Sequence, residues 1–168
     1  RVRFASSLKG KDADAFLLSW VKEYQPVRLF LDAPLSLPGK YRGLAGCDDY
    51  FYREADKTLR AMSPMFLGGL TARAMQLAAY LQSEGIQVQE TYPSHLSKLL
   101  DLNELGYKKD KADIDIVAGA LATQLSCTIP DLPDWHHVDA TLALLSGLRY
   151  LSGNAFTFGG VEEGVIVV

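Results

Sequence analysis

Three carboxylates stand where the sequence pattern ends or begins an ordered element. Asp32 closes the apolar run "LFLD", and Glu90 closes "IQVQE". Asp139 falls in the first turn expected for the apolar stretch "HHVDATLALLSGLRYLSG". In a layered α/β protein, ligands collect outside the carboxyl ends of parallel strands. Two strand-end acids and a third from a covering helix can therefore meet at one rim. Oxygen-only donors suit hard cations such as Mg²⁺ or Mn²⁺. Such a cation activates water and stabilises the leaving oxygen of a phosphodiester. Each acid also has a plain structural role. Asp32 can cap the turn "DAPL", Glu90 can cap the helix that opens at Pro93, and Asp139 can complement a helix dipole. Spacing alone does not choose between these.

Basic residues supply candidate phosphate contacts. Lys108, Lys109 and Lys111 cluster just ahead of an expected helix. Arg42, Arg53, Lys57, Arg60 and Arg73 lie between the second and third expected strands, and Arg53, Lys57 and Arg60 recur at helical spacing. We take Lys108, Lys109, Lys111, Arg42 and Arg53 as the substrate-binding candidates. A solvated charged face is the structural alternative for the lysines. Tyr50, Phe51 and Tyr52 are able to stack on bases, with core packing as their first reading.

The elements that must position these groups read as strand, helix, strand, helices, strand, helices, strand. "VRFASS" is read as a strand. "KDADAFLLSWVKEY" is a helix with Asp12 as its N-cap, stopped by Pro26. "VRLFL" is short and almost wholly apolar, which suits a strand buried on both faces. "DDYFYREADKTLRAM" is read as helical and "SPMFLGGL" as a loop able to act as a lid. Thr71 is read as the cap of the helix that Gly85 closes. "IQVQE" alternates as a strand does. Ser94 is an N-cap candidate for the next helix, and the tail "EEGVIVV" is a last strand. Strands separated by helices imply parallel pairing and a layered α/β fold.

The 168 residues are 48% hydrophobic and 22% charged, which fits one domain with a full core. The net charge of −3 argues against a sequence-independent nucleic-acid binder with a broadly basic surface. Any polyanion would need a local basic patch or bound cations. Cys47 and Cys127 are far apart and lack metal-ligand spacing, so we expect free thiols in a reducing cytoplasm. No apolar run reaches the roughly 20 residues of a membrane span. The chain contains no G-x-x-x-x-G-K-[ST], no G-x-G-x-x-G and no G-x-S-x-G, which argues against a P-loop, a dinucleotide fingerprint and a nucleophile elbow. His95, His136 and His137 show no zinc spacing with the cysteines.

The segments "FLDAPLSLP", "CDDYFYREADKTLR", "QETYPSHL" and "HHVDATLALLSGLRYLSG", in that order, resemble a bacterial and archaeal domain-of-unknown-function family. Its members are described as predicted nucleases of the RNase H-like fold. The likeness runs from about Val2 to Val168. It implies an RNase H-like three-layer α/β fold, a central mixed sheet with helices on both faces, as a single domain over 1–168. A mainly helical insert falls at about 40–72. It also implies a divalent metal, Mg²⁺ or Mn²⁺, on Asp32, Glu90 and Asp139, and a nucleic-acid or nucleotide substrate. The family pattern opens with a β-hairpin bearing an aspartate, and nothing here matches it. The first two strands and the first metal ligand are therefore expected to be missing from this chain. Two further readings stay open: a non-catalytic RNase H-like module that binds nucleic acid or protein, and a phosphotransferase of the actin-like type. The lack of recognisable phosphate-binding glycine loops counts against the latter.

Overall fold

The structure is a computed structural model and describes residues 2–168. Helix α1 (Ala13–Tyr24) begins where expected, because Asp12 Oδ1 accepts the backbone N–H groups of Asp14 and Ala15 at 2.9 and 3.1 Å. It ends at Gln25, which adopts a left-handed conformation before Pro26. Asp12→Ala should lower stability by about 1 kcal/mol, typical of a lost N-cap. Thermal melting would read that as a fall of about 2–4 °C in Tm.

The sheet contains β1 (Arg28–Leu31), β2 (Gln87–Thr91), β3 (Thr157–Phe158) and β4 (Ile166–Val167), in spatial order β1-β2-β4-β3. β1 runs parallel to β2 and β2 parallel to β4, while β3 closes the order antiparallel to β4. The sheet is therefore mixed, and the fold is α/β. The tail forms a strand as expected, although only over Ile166–Val167; β3 is an addition that the sequence pattern did not signal.

Two apolar clusters pack around the sheet. In one, Leu29, Leu31 and Val88 pack with Ala78 and Leu81 of α4 (Gly69–Ser83) and with Leu18 and Val21 of α1. In the other, Ile166 and Val168 join residues of α5 (Pro93–Leu99), α6 (Ile114–Leu125) and α7 (Trp135–Leu151). Phe30, pointing opposite to Leu29 and Leu31 by strand alternation, meets α7 at Gly147. A Cβ there would lie 2.7 Å from the Phe30 ring, so only glycine lets the helix approach this closely.

Several expectations need correction. "VRFASS" is not a strand: it has no neighbouring strand among the described residues and instead lies against the start of α7. There Phe4 meets the His137 ring edge-on at 5.9 Å, and Ser6 Oγ lies 2.9 Å from His137 Nε2. β1 is half-buried along its whole length rather than fully buried, because it is the outer strand of the sheet. In the 40–72 segment the helical content is limited to a 3-10 turn (Gly39–Arg42), α2 (Glu54–Leu59), α3 (Pro64–Leu67) and the start of α4. Asp49 Oδ1 holds the N–H groups of Phe51 and Tyr52 in a turn, which keeps that stretch out of α2. Thr71 lies inside α4 and donates its hydroxyl to the Pro64 carbonyl. Tyr92, not Ser94, precedes the first residue of α5. Among the described residues, no helix is long and apolar enough to cross a membrane.

Candidate active site

A cleft of about 300 Å³ opens at the carboxyl ends of β1 and β2. Asp32, Glu90, Thr91, Tyr92, Ser94 and Lys108 line it, with Met62, Leu67 and Leu70 forming an apolar wall. The position follows from the chain path. β1 ends at Leu31, so Asp32 is the first residue past the rim. Buried Pro34 then carries the backbone away from the sheet.

Asp32 makes no side-chain hydrogen bond among the described residues, so it does not cap the "DAPL" turn. Its residue surface is open to solvent, yet protein atoms crowd the carboxyl from the cleft walls. That burial, then the charge of Asp139, raise its pKa to about 6; Lys108 pulls it back and Glu90 adds a smaller push. A water molecule reaches the carboxyl, but much of its outer hydration is replaced by protein, and the two neighbouring carboxylates push its pKa the same way.

Glu90 is near but committed. It is 5% exposed, and both of its oxygens are used. Oε1 accepts from Arg53 Nη2 at 2.7 Å, and Oε2 accepts from Arg53 Nη1 at 2.7 Å and from the Leu35 N–H at 2.8 Å. The register explains this. Glu90 pairs with Leu31 and shares its face, toward α4, whereas Asp32 follows Phe30 toward α7.

Arg53 was expected on an exposed basic stripe, and the structure corrects this. It is 0% exposed. Its Nε bonds Asp56 Oδ2 (3.0 Å), Nη1 bonds Ser36 Oγ (2.8 Å) and Glu90, and Nη2 bonds Asp56 Oδ1 (2.7 Å) and Glu90. All five guanidinium donors are thus spent inside the protein. Burial opposes its charge, but Glu90 and Asp56 outweigh that and hold its pKa above the ordinary value. Arg53 is a positioning residue. It ties the loop after Asp32, through Ser36, to β2, through Glu90. Lys57 and Arg60 do not share its face. Lys57 pairs with Asp49 at 2.7 Å, and Arg60 is the left-handed residue that ends α2.

Asp139 lies in the second turn of α7 rather than the first, which removes the helix-dipole role. Its Oδ1 accepts the Tyr107 hydroxyl at 2.5 Å, and its Oδ2 pairs with Lys108 Nζ at 2.9 Å. Burial and then Asp139 raise the Tyr107 pKa, so the phenol remains a donor. Gly106 (φ +90) makes the turn that presents these two residues, and a Cβ there would collide with Asp113. Lys109 and Lys111 are exposed beside Lys108. Arg42 is elsewhere, donating to the Glu162 carbonyl.

The structure thus brings Asp32, Asp139 and Lys108 together, with Glu90 behind them. Among the described residues, no three His, Cys, Asp or Glu side chains are arranged to hold a metal ion between them. Sequence reasoning missed Tyr107 and Thr91. Thr91 is 2% exposed, lines the cleft, and its Oγ1 has no hydrogen-bond partner. His137, with Nδ1 2.7 Å from Asp134 Oδ1 and Nε2 on exposed Ser6, anchors the N-terminal segment at the start of α7.

Fold and site together define an α/β protein with an acidic cleft at the carboxyl edge of its parallel strands. Comparison with known proteins adds no relative: no family model, no curated protein and no solved structure matches the chain.

Proposed function

We propose that this chain is a divalent-metal-dependent phosphodiesterase, a nuclease of the RNase H-like type. The observation that carries the reading is Asp32. A carboxylate without a hydrogen-bond partner, facing an open cleft and pressed by Asp139 and Glu90, is stabilised by a cation. The donor set fits such an ion in one form and not in another. It does not fit a cage of three carboxylates, because Glu90 is closed by Arg53. It fits Mg²⁺ or Mn²⁺ held by two carboxylates, Asp32 and Asp139, with water and substrate phosphate completing the shell, which is a common mode for Mg²⁺. The orphaned Thr91 hydroxyl in the same cleft offers a partner to one of those waters.

When bound, the ion would activate water and stabilise the leaving oxygen of an in-line displacement. The chain's own residues do the rest. Lys108, Lys109 and Lys111 offer positive charge to the phosphates. Arg53 fixes Glu90 and the Asp32 loop. Tyr107 orients the Asp139 carboxylate.

A second reading has its own support. With Glu90 occupied, the domain would also serve as a non-catalytic module that binds nucleic acid through the Lys108–Lys111 edge. Single- and double-stranded DNA and RNA oligonucleotides incubated with Mn²⁺, with and without chelator, decide between them. Cleavage that stops with chelator supports the first reading. Salt-dependent binding without turnover, indifferent to chelator, selects the second.

A further inference from the structure

Lys108 lies where an added cation would need access. Its ammonium is 2.9 Å from Asp139 Oδ2, and its side chain lines the cleft beside Asp32. The other oxygen of Asp139 is held by Tyr107, so both are taken. The two partners differ in how easily they leave. Tyr107 is buried and packs edge-on against Trp135 at 5.6 Å. The Lys108 side chain is 43% exposed, on a flexible stem with three rotatable donors. An ion pair this open is weakly held.

The backbone indicates that the lysine is aimed rather than incidental. Residue 108 has φ +58, a conformation that residues with a Cβ rarely adopt. It follows the Gly106 turn, and the ammonium also lies 5.2 Å from the Tyr107 ring centroid. Turn, ring and carboxylate together direct one positive charge at Asp139, beside the cleft that Asp32 and Lys108 both line. We infer that Lys108 is an internal cation of the cleft, displaced from Asp139 when a divalent ion binds, so that it sets the affinity for that ion. This rests on the metal-dependent reading above. It carries a counter-intuitive consequence: deleting a cleft residue should tighten metal binding. A lysine that only braces the fold, or only contacts phosphate, gives no tightening.

The test is Mn²⁺ titration calorimetry on the chelator-treated chain and on Lys108→Gln, Lys108→Met, Lys108→Arg and Asp139→Asn. None of the lysine substitutions relieves the positive φ, so the backbone requirement is the same in each. Removing the charge in K108Q and K108M should tighten Mn²⁺ binding by about tenfold or more, the scale of losing one like charge at a few ångströms. K108R should stay within about threefold of wild type, and D139N should lose binding. Measurable wild-type binding that is unchanged or weaker in both K108Q and K108M overturns the role given to Lys108 and leaves the metal site standing. No Mn²⁺ binding by any of the five proteins overturns both. K108M retains the apolar stem, so a folding defect confined to K108Q does not block the result.

Discussion

Arg53→Met is expected to lower the unfolding free energy by about 3–5 kcal/mol, the range for removing one partner of a buried ion pair. The arginine is fully buried, and its loss leaves the carboxylates of Glu90 and Asp56 facing each other without a counter-charge. It also frees Ser36, and so loosens the loop that carries Asp32. Urea unfolding measures the first effect. Replacing all three charges with apolar residues of similar volume should recover most of the loss, because such a substitution removes the desolvated charges along with their attraction. A loss below about 1 kcal/mol for the single variant would mean that the network is not a closed buried unit. A separate consequence is functional. Mn²⁺ affinity should fall in R53M although Arg53 contacts no cation, since Asp32 is no longer held at the rim.

The same residue shows where sequence pattern stops informing. Arg53, Lys57 and Arg60 have helical spacing, but the helix begins at Glu54 and ends at Leu59. Arg53 is its cap residue, with its N–H on Asp56 Oδ2, and Arg60 has turned into the left-handed region. A spacing rule that presumes one continuous helix puts all three on one face, and the caps undo it. Nothing local marks Glu90, 37 positions later, as the partner. By contrast, Asp32 was legible as a rim carboxylate. An apolar run of strand length cut by an acid and prolines leaves few alternatives, because proline ends the ladder and the acid cannot stay in the core. The strand "IQVQE" and helix α1 were legible for similar local reasons: alternation after a terminating glycine, and an aspartate ahead of a helical stripe. "VRFASS" has the composition of a strand, but strand formation needs a neighbour to bond, which composition does not report. β3, two residues long, exists through its pairing with β4.

The site was legible in its acids and not in their commitments. Two of the three candidate ligands are already paired. One pair is deeply buried, Glu90 with Arg53; the other is open, Asp139 with Lys108. That difference in burial sorts the roles. The buried pair is costly to break and serves as framework, while the open pair exchanges partners readily. Asp32, which makes no salt bridge, is then the group whose charge is offset only at a distance, by Lys108.

Asp32→Asn should therefore act in opposite directions on chemistry and on stability. Mn²⁺ binding and Mn²⁺-dependent cleavage should drop to background, since the amide keeps the shape and removes the charge. Stability should rise, and only above a defined pH. The Asp32 carboxyl titrates at about 6 in the folded chain, against an ordinary value of 3.8 that stands for the unfolded one. Between these values the folded state holds a proton that the unfolded state has released. Wild-type stability from this group is accordingly greatest below about 3.8, falls as pH rises through the window, and stays lowered above 6. Asparagine carries no such slope. The difference in Tm between D32N and wild type should be near zero at the acid end of the window and positive at neutral pH. Solvent around the carboxylate screens the size of the effect, so its sign and its pH dependence are the measurement. A turn-capping aspartate predicts the reverse, a variant less stable at neutral pH with unchanged metal binding, and that result would remove Asp32 from the site. A variant that is stabilised yet still binds Mn²⁺ would keep the electrostatic description of the cleft and transfer the metal to other ligands.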